Sequence, residues 1–274
     1  MSRLAYLGPP GTFSEQAAVQ YAPQAQHAPF PTIPAVAQAV QAGEADEGII
    51  PIENSLEGAV NDTLDLLIHD SVLRIRGELV VPIEHCLIAM AGTTPDTIQA
   101  VYSHPQALGQ CRLFLERRFP NAQAIAALST AAAVEEMKSS AVPSAAIAPR
   151  RAAELYGAEV LASAIQDRPN NLTRFVVLAS TDHEPTGADK TSLCFSFDDD
   201  RPGLLYGVMR EFARRGINLA KIESRPTKEE LGRYIFLAYL EGHREDAKIR
   251  KALAAIEGQV SLLKVFGSYP RAPG

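Results

Sequence analysis

Residues Ile49 to Leu67 read IIPIENSLEGAVNDTLDLL. An apolar run, Ile49-Ile50-Pro51-Ile52, stops at Glu53-Asn54-Ser55; Gly58 follows, and a helical spacing continues through Val60, Leu64 and Leu67. A buried strand that ends in short hydrogen-bonding side chains before a helix is how α/β proteins build small-molecule sites. The strand fixes position, and the loop and helix N-terminus offer donors to an anion. Read locally, the stretch is equally an ordinary strand-to-helix connection in which Asn54 or Ser55 caps the helix.

The pattern extends in both directions. Strand-like runs at 4–7, 47–52, 85–90, 100–102, 145–148 and 175–178 alternate with helical stretches at 13–21, 35–42, 59–67, 107–119 and 131–138. This alternation predicts an α/β domain over residues 1–182 with mainly parallel sheets. The Ala-rich stretches 124–133 and 145–153 predict its close-packed core. The polar segment Thr181–Lys190, TDHEPTGADK, reads as a linker. Over 190–270 the order becomes strand, helix, two strands, helix, strand, the βαββαβ order of a ferredoxin-like domain.

At 274 residues the chain is long enough to bury a substantial core in one large or two modest domains. Hydrophobic content of 46% and charged content of 21% are those of a soluble globular protein. The net charge of −6 supplies no basic field for nucleic acid, and Arg117-Arg118, Arg150-Arg151 and Arg214-Arg215 read as solvated helix faces. No apolar run reaches the ~20 residues of a membrane helix, and the opening Met1-Ser2-Arg3 before a strand-like Leu4–Leu7 leads to the expectation of no signal peptide. Cys86, Cys111 and Cys194 are scattered without CxxC spacing, as expected of reduced, buried thiols in a cytoplasm. The histidines form no HxxxH or HxH pair, so no metal site is expected.

Further polar turns succeed the strands. In Gly8-Pro9-Pro10-Gly11-Thr12-Phe13-Ser14-Glu15, Thr12 can cap the first helix with Glu15 as its capping-box partner. The turn is neither a Walker A loop nor GxGxxG. Ser103-His104-Pro105-Gln106-Ala107 and Ser129-Thr130-Ala131-Ala132 open two more helices, where such side chains usually cap. In Asn170-Asn171-Leu172-Thr173-Arg174-Phe175, Thr173 and Arg174 would point to opposite faces of a strand. Five such turns in one α/β chain suggest a cleft whose chemistry is hydrogen bonding and anion neutralisation. The sequence shows no GxSxG elbow and no plausible catalytic Cys–His pair.

Taken together, GPPGTFSEQAA, IPIENSLEGAVNDTLDLL, SHPQALGQC, STAAA and NNLTRF stand in the order seen in prephenate dehydratases. The C-terminal part resembles an ACT domain through Arg201-Pro202-Gly203-Leu204-Leu205 and Asn218-Leu219-Ala220-Lys221-Ile222-Glu223-Ser224-Arg225-Pro226, with Ala220 in place of a usual hydroxyl residue. The resemblance implies a two-lobed, periplasmic-binding-protein-like catalytic domain (1–182) followed by a ferredoxin-like ACT regulatory domain (190–270). It implies decarboxylating dehydration of prephenate to phenylpyruvate, with no cofactor, in the monofunctional form. Thr173 would be catalytic, Arg174 would neutralise a substrate carboxylate, and Asn54, Ser55, Gln106 and Thr130 would line the cleft. L-Phenylalanine would bind between two ACT domains of a homodimer or homotetramer, against Gly203, Leu204, Asn218, Glu223, Ser224, Arg225 and Pro226. A chain ending near Thr186 would then keep its chemistry and lose its control. Two other readings share these features: an arogenate dehydratase, and a receptor that binds an amino or keto acid without turnover.

Overall fold

The computed structural model describes residues 2–199, 201–228 and 232–272. Its contacts divide the chain into Met1–Val60 with Val80–Phe175, and Asn61–Leu79 with Val176–Gly274. In the first unit, Leu4-Ala5-Tyr6 is buried and forms β1 (Arg3–Leu7). Next come α1 (Phe13–Tyr21), β2 (Gln26–Phe30), α2 (Ile33–Gln41), β3 (Glu47–Asn54) and the short β4 (Gly58–Ala59). With β5 (Arg74–Pro82) and β11 (Leu172–Ala179) they build a sheet of order β2-β1-β3-β11-β5, in which β1 runs parallel to β2 and β3. Ile49, Ile50 and Ile52 of β3 are buried, as in a strand covered on both faces. Gly48 lets α2 approach, since a Cβ there would lie 2.8 Å from Val36 Cγ1.

The second lobe of this unit holds β6 (Cys86–Ala89), β7 (Ala100–Ser103), α4 (Pro105–Gln110), α5 (Arg112–Arg118) and β8 (Gln123–Ala126). It continues with α6 (Thr130–Lys138), β9 (Ser144–Ala148), α7 (Arg150–Tyr156) and β10 (Glu159–Ala162). The strand order is β10-β6-β9-β7-β8. All five residues of β9 are buried, and Ala146, Ala148, Ala152 and Ala153 pack with Cys86, Ile88 and Met137, so 145–153 forms core as expected. Residues 124 and 126 do not, because β8 is an exposed edge strand.

The second sheet is mixed: β6 runs antiparallel to β9 and β10, while β7 runs parallel to β8 and β9. Two local expectations are corrected. The helix expected over 59–67 starts later. Gly58, at φ +84°, reverses the chain so that Ala59 pairs with Glu53; α3 (Asn61–Asp65) comes next and widens into a π-helical turn at Leu66–Asp70. The helix expected over 107–119 begins at Pro105, a favoured first position, and breaks into α4 and α5 at the fully buried Cys111.

The second unit carries β12 (Asp189–Ser196), α8 (Leu204–Ala213), β13 (Leu219–Pro226), β14 (Tyr234–Glu241), α9 (Ala247–Glu257) and β15 (Leu262–Pro270), the expected βαββαβ order. Its sheet, β13-β14-β12-β15, is antiparallel throughout. Leu193, Phe195, Val208, Phe212, Leu240, Ile249 and Ile256 pack between sheet and helices. Residues 61–79 are built into the same unit. Lys264 Nζ donates to the carbonyls of Ile68 and Ser71, satisfying the end of the π turn. Lys190 pairs bidentately with the buried carboxylate of Glu78 at 2.7 and 2.9 Å.

Candidate active site

The strand β3 ends at Asn54, whose side chain organises the loop beyond it. Asn54 Oδ1 accepts from the backbone amides of Leu56 (2.9 Å) and Glu57 (3.1 Å), a turn motif that closes the NSLE loop. Neither Asn54 nor Ser55 caps a helix. With its oxygen committed, the amide nitrogen faces the other way and donates to Thr173 Oγ (2.9 Å) and Asn171 Oδ1 (2.8 Å). Ser55 ties the same two loops through their backbones: its hydroxyl donates to the Asn170 carbonyl (3.0 Å) and accepts from the Leu172 amide (3.0 Å). Both bonds hold the loop that carries Thr173.

A cavity of about 340 Å³ opens beside this junction within the first unit. Leu7, Phe13, Ser14, Asn54, Val60, Thr173 and Phe175 line it from one lobe; His85, His104, Gln106, Gln110, Leu128, Ser129 and Thr130 line it from the other. The expected Asn54, Gln106, Thr130 and Thr173 thus meet. Arg174 is absent from this lining, as strand alternation requires with Thr173 and Phe175 both facing in. It pairs with Glu53 Oε2 at 3.3 Å.

Among the described residues the cavity wall holds no Asp, Glu, Lys or Arg. What it offers an anion is helix N-termini. Ser14 lies in the first turn of α1 and Thr130 opens α6, each a nine-residue helix. Their caps are Thr12, whose hydroxyl accepts from Glu15 N, and Ser129, which accepts from Ala132 N. Glu15 reaches back to the Gly11 amide (2.7 Å) rather than to that of Thr12, a shifted capping box. His104 caps α4, its Nδ1 accepting from Gln106 N at 3.3 Å, which is the structural role such a histidine usually has.

Sequence reasoning missed three wall or support residues. Asn171 Nδ2 donates to Gln110 Oε1 (2.8 Å), and the same oxygen contacts His85 Nε2 (2.9 Å). Gln110 is one helical turn beyond Gln106, so its shared face was available from spacing alone. His85 comes after an unremarkable Pro82-Ile83-Glu84 and carried no signal. Its ring stands edge-on to Phe13 at 5.5 Å and 81°, and burial pushes its pKa down, partly opposed by the Gln110 contact. The thiols offer no nucleophile: burial pushes Cys86 up and raises Cys111 and Cys194 to about 12. Among the described residues no cluster of three His, Cys, Asp or Glu could hold a metal ion.

In the second unit a cavity of about 550 Å³ is lined by Gly203, Leu204, Phe197, Arg201, Tyr234 and neighbours. Gly203, at φ +92°, opens α8. The other expected effector residues lie outside this lining. Asn218 is exposed just before β13, and Glu223 to Pro226 lie on β13 itself, an edge strand with alternating exposure. Glu223 pairs with Lys221 (3.0 Å), and Arg225 pairs with Asp65 of α3 (3.2 Å).

The family model described as prephenate dehydratase matches residues 4–183, and that described as ACT domain matches residues 199–258. A bifunctional chorismate mutase/prephenate dehydratase from Aquifex aeolicus is 43% identical across 98% of this chain and 74% of its own. Arogenate dehydratase 5 from Arabidopsis thaliana is 38% identical across 98% of this chain and 67% of its own. Among solved structures, prephenate dehydratase from Arthrobacter aurescens in complex with L-Phe superposes with TM-score 0.89 at 39% identity, covering 98% of this chain and 90% of that one. GqqA, described as a novel type of quorum quenching acylase, superposes with TM-score 0.88 at 30% identity, covering 99% and 98%. On the strength of a family model spanning most of its length, this chain belongs to the prephenate dehydratase family.

Proposed function

We propose that the chain converts prephenate to phenylpyruvate, water and CO2, under control by L-phenylalanine. The observation that carries the reading is the hydroxyl of Thr173. It accepts from Asn54, so its hydrogen is left to donate, and it lines the cavity. The ring carboxylate leaves as CO2; the electron pair of the broken C–C bond enters the ring, and the para C–O bond breaks with its pair on oxygen. One proton completes water, so the balance needs no oxidant or reductant. A donor aimed at the departing oxygen, from a group held by a fixed amide, stabilises the charge that develops there. The helix N-termini of α1 and α6 suit the carboxylates of a dianion. Ser55 supports this wall through the loop backbone, and Arg174 lies beside it on the strand, paired with Glu53.

Arogenate differs by an ammonium in place of the keto group. The described cavity wall has no carboxylate to receive an ammonium, which favours the keto acid. Side-by-side kinetics on the two substrates tests this, and equal or better kcat/KM on arogenate would reverse it. For the chemistry, Thr173→Val keeps the shape and removes the donor, with an expected 10²–10⁴-fold loss of kcat; Thr173→Ser should retain most of it. A valine variant that is folded and fully active would refute the assignment.

Regulation is read from the ACT match and from the Arthrobacter aurescens relative that holds L-Phe. Gly203 and Leu204 would meet the effector in the second unit's cavity. Asn218 and the Glu223–Pro226 strand end would reach it from a second copy, since β13 is an unpaired edge able to join another chain. The Arg225–Asp65 pair supplies a route: Asp65 ends α3, which begins directly after Val60 of the cavity wall.

A further inference from the structure

The amides around Asn54 form a polarised chain. Its starting point is backbone: the Leu56 and Glu57 N–H groups fix Asn54 Oδ1 as acceptor. Asn54 Nδ2 therefore donates to Asn171 Oδ1, and Asn171 Nδ2 to Gln110 Oε1. The next contact, between Gln110 Oε1 and His85 Nε2 at 2.9 Å, must then be donated by the imidazole, because the oxygen has no hydrogen to give. Burial lowers the ring's pKa and so favours the neutral form, whose single N–H the Gln110 contact places on Nε2. Nδ1 is left as a bare acceptor. It is buried and has no hydrogen-bond partner among the described residues, on a residue only 3% exposed that lines the same cavity as Thr173. An unpaired polar atom in such a place is costly unless something occupies it.

We propose that His85 Nδ1 accepts the hydrogen of the substrate's ring hydroxyl, orienting that oxygen's lone pair toward Thr173. The inference rests on the prephenate reading. A leaving hydroxyl has one hydrogen and two lone pairs; the wall supplies one matching acceptor and one matching donor. With its hydrogen held by His85, the hydroxyl presents oxygen to the Thr173 O–H, and water forms only when the C–O bond breaks. His85 thus selects the orientation in which the departing oxygen, rather than its hydrogen, meets the proton donor. It gives up no proton itself.

Two substitutions separate this role from a structural one. His85→Asn keeps an acceptor near the position of Nδ1 and loses the Nε2 donor. His85→Gln keeps a donor near Nε2, preserving the bond to Gln110, and loses the Nδ1 acceptor. In the full-length enzyme with prephenate, the Gln variant should lose about 10- to 100-fold in kcat with KM little changed, and the Asn variant should recover most of it. A structural role through Gln110 predicts the reverse ranking, and equal losses or a change confined to KM would overturn the proposal. A second measurement does not depend on variant folding. In wild type labelled with ¹⁵N-histidine, the His85 Nδ1 resonance should move when a non-reacting cyclohexadienol dicarboxylate binds, and stay when the analogue lacks the hydroxyl. Identical responses to both also overturn it. A wild-type enzyme that turns over no prephenate defeats the functional reading and this inference together, whereas an active wild type with the wrong variant ranking defeats this inference alone.

Discussion

In the first unit the polar side chains at the cavity are tied to one another, whereas on the second unit's sheet the candidate effector residues stand apart. Asn54, Asn171, Gln110 and His85 pass hydrogen bonds from one to the next, and each amide orientation is set by the one before. Asn218 is exposed, and Ser224 sits on the outer face of an edge strand. The contrast matches two tasks. Directing a proton at one oxygen needs a group whose donor and acceptor senses are fixed before substrate arrives. Sensing an amino acid needs surface that a ligand and a second chain can still complete. Buried networks of the first kind should be sensitive to the smallest polarity change; surface residues of the second kind should tolerate truncation and lose only control.

The largest effect is expected from Asn54→Asp, which is nearly isosteric and replaces the donating nitrogen with an acceptor. Facing Asp, Thr173 would donate to the new carboxylate instead of to substrate, and Asn171 Oδ1 would confront a like group. A 10²–10⁴-fold fall in kcat is expected. Wild-type kcat in a folded Asp variant would show that the chain of amides does not set the sense of Thr173.

Next in size is a backbone contact in the second unit. Gly267 has φ +157°, and a Cβ there would sit 2.2 Å from the Ile75 carbonyl oxygen, so Gly267→Ala must push β15 from the 61–79 segment. A loss of about 3 kcal/mol or more is expected in urea unfolding; an unchanged midpoint would mean that this close approach is not needed. The same packing alters the expected behaviour of a chain cut near Thr186. Such a cut removes Lys190 from Glu78, a carboxylate whose side chain is 2% exposed, and Lys264 from the π turn. Stranding one buried partner costs about 3–5 kcal/mol. The shortened chain should therefore be unstable rather than a desensitised catalyst, and control is better probed by point substitution.

Burial also decides which elements are legible in the sequence. In the catalytic part, the interior strands β1, β3, β6, β7, β9 and β11 all show as apolar runs. Apart from the two-residue β4, the strands that sequence patterning leaves out, β2, β5, β8 and β10, are the four sheet edges. Edge strands such as QHAPF and QAIA are half solvated, so they carry weak periodicity and tolerate Pro29. The site divides similarly. Thr173 and Asn54 stand out through motifs, but their mutual bond spans 119 positions and only the fold supplies it. His85 is isolated in sequence and acquires meaning only from Gln110. The helix expected over 59–67 starts late because Gly58 reverses the chain, a backbone effect that side-chain periodicity does not record.

A smaller effect belongs to control. The Asn218 side chain has no hydrogen bond among the described residues, so Asn218→Ala should leave stability and basal kcat unchanged. If Asn218 meets the effector across two copies, the phenylalanine concentration for half inhibition should rise about tenfold, the worth of one lost hydrogen bond. Gly203→Val should do the same less cleanly, since φ +92° strains any residue with a Cβ. Inhibition curves identical to wild type in Asn218→Ala would move the effector's polar contact elsewhere.

The smallest expected effect is on pH-dependent stability, and it returns to His85. Burial lowers its pKa in the folded chain, so below the ordinary imidazole value of about 6.5 the unfolded chain binds a proton that the folded chain does not. Stability therefore rises with pH through this range. The contribution is complete above about 6.5 and is lost as pH falls below it, toward the lowered folded value. The chain has five other histidines, so the informative quantity is a difference. In His85→Gln, which keeps the bond to Gln110 and cannot be charged, melting temperature should fall less between about pH 7 and pH 5 than in wild type. Parallel curves would mean that the folded imidazole takes up its proton as readily as the unfolded one, and below about pH 6.5 such a ring has no Nδ1 lone pair to offer the substrate.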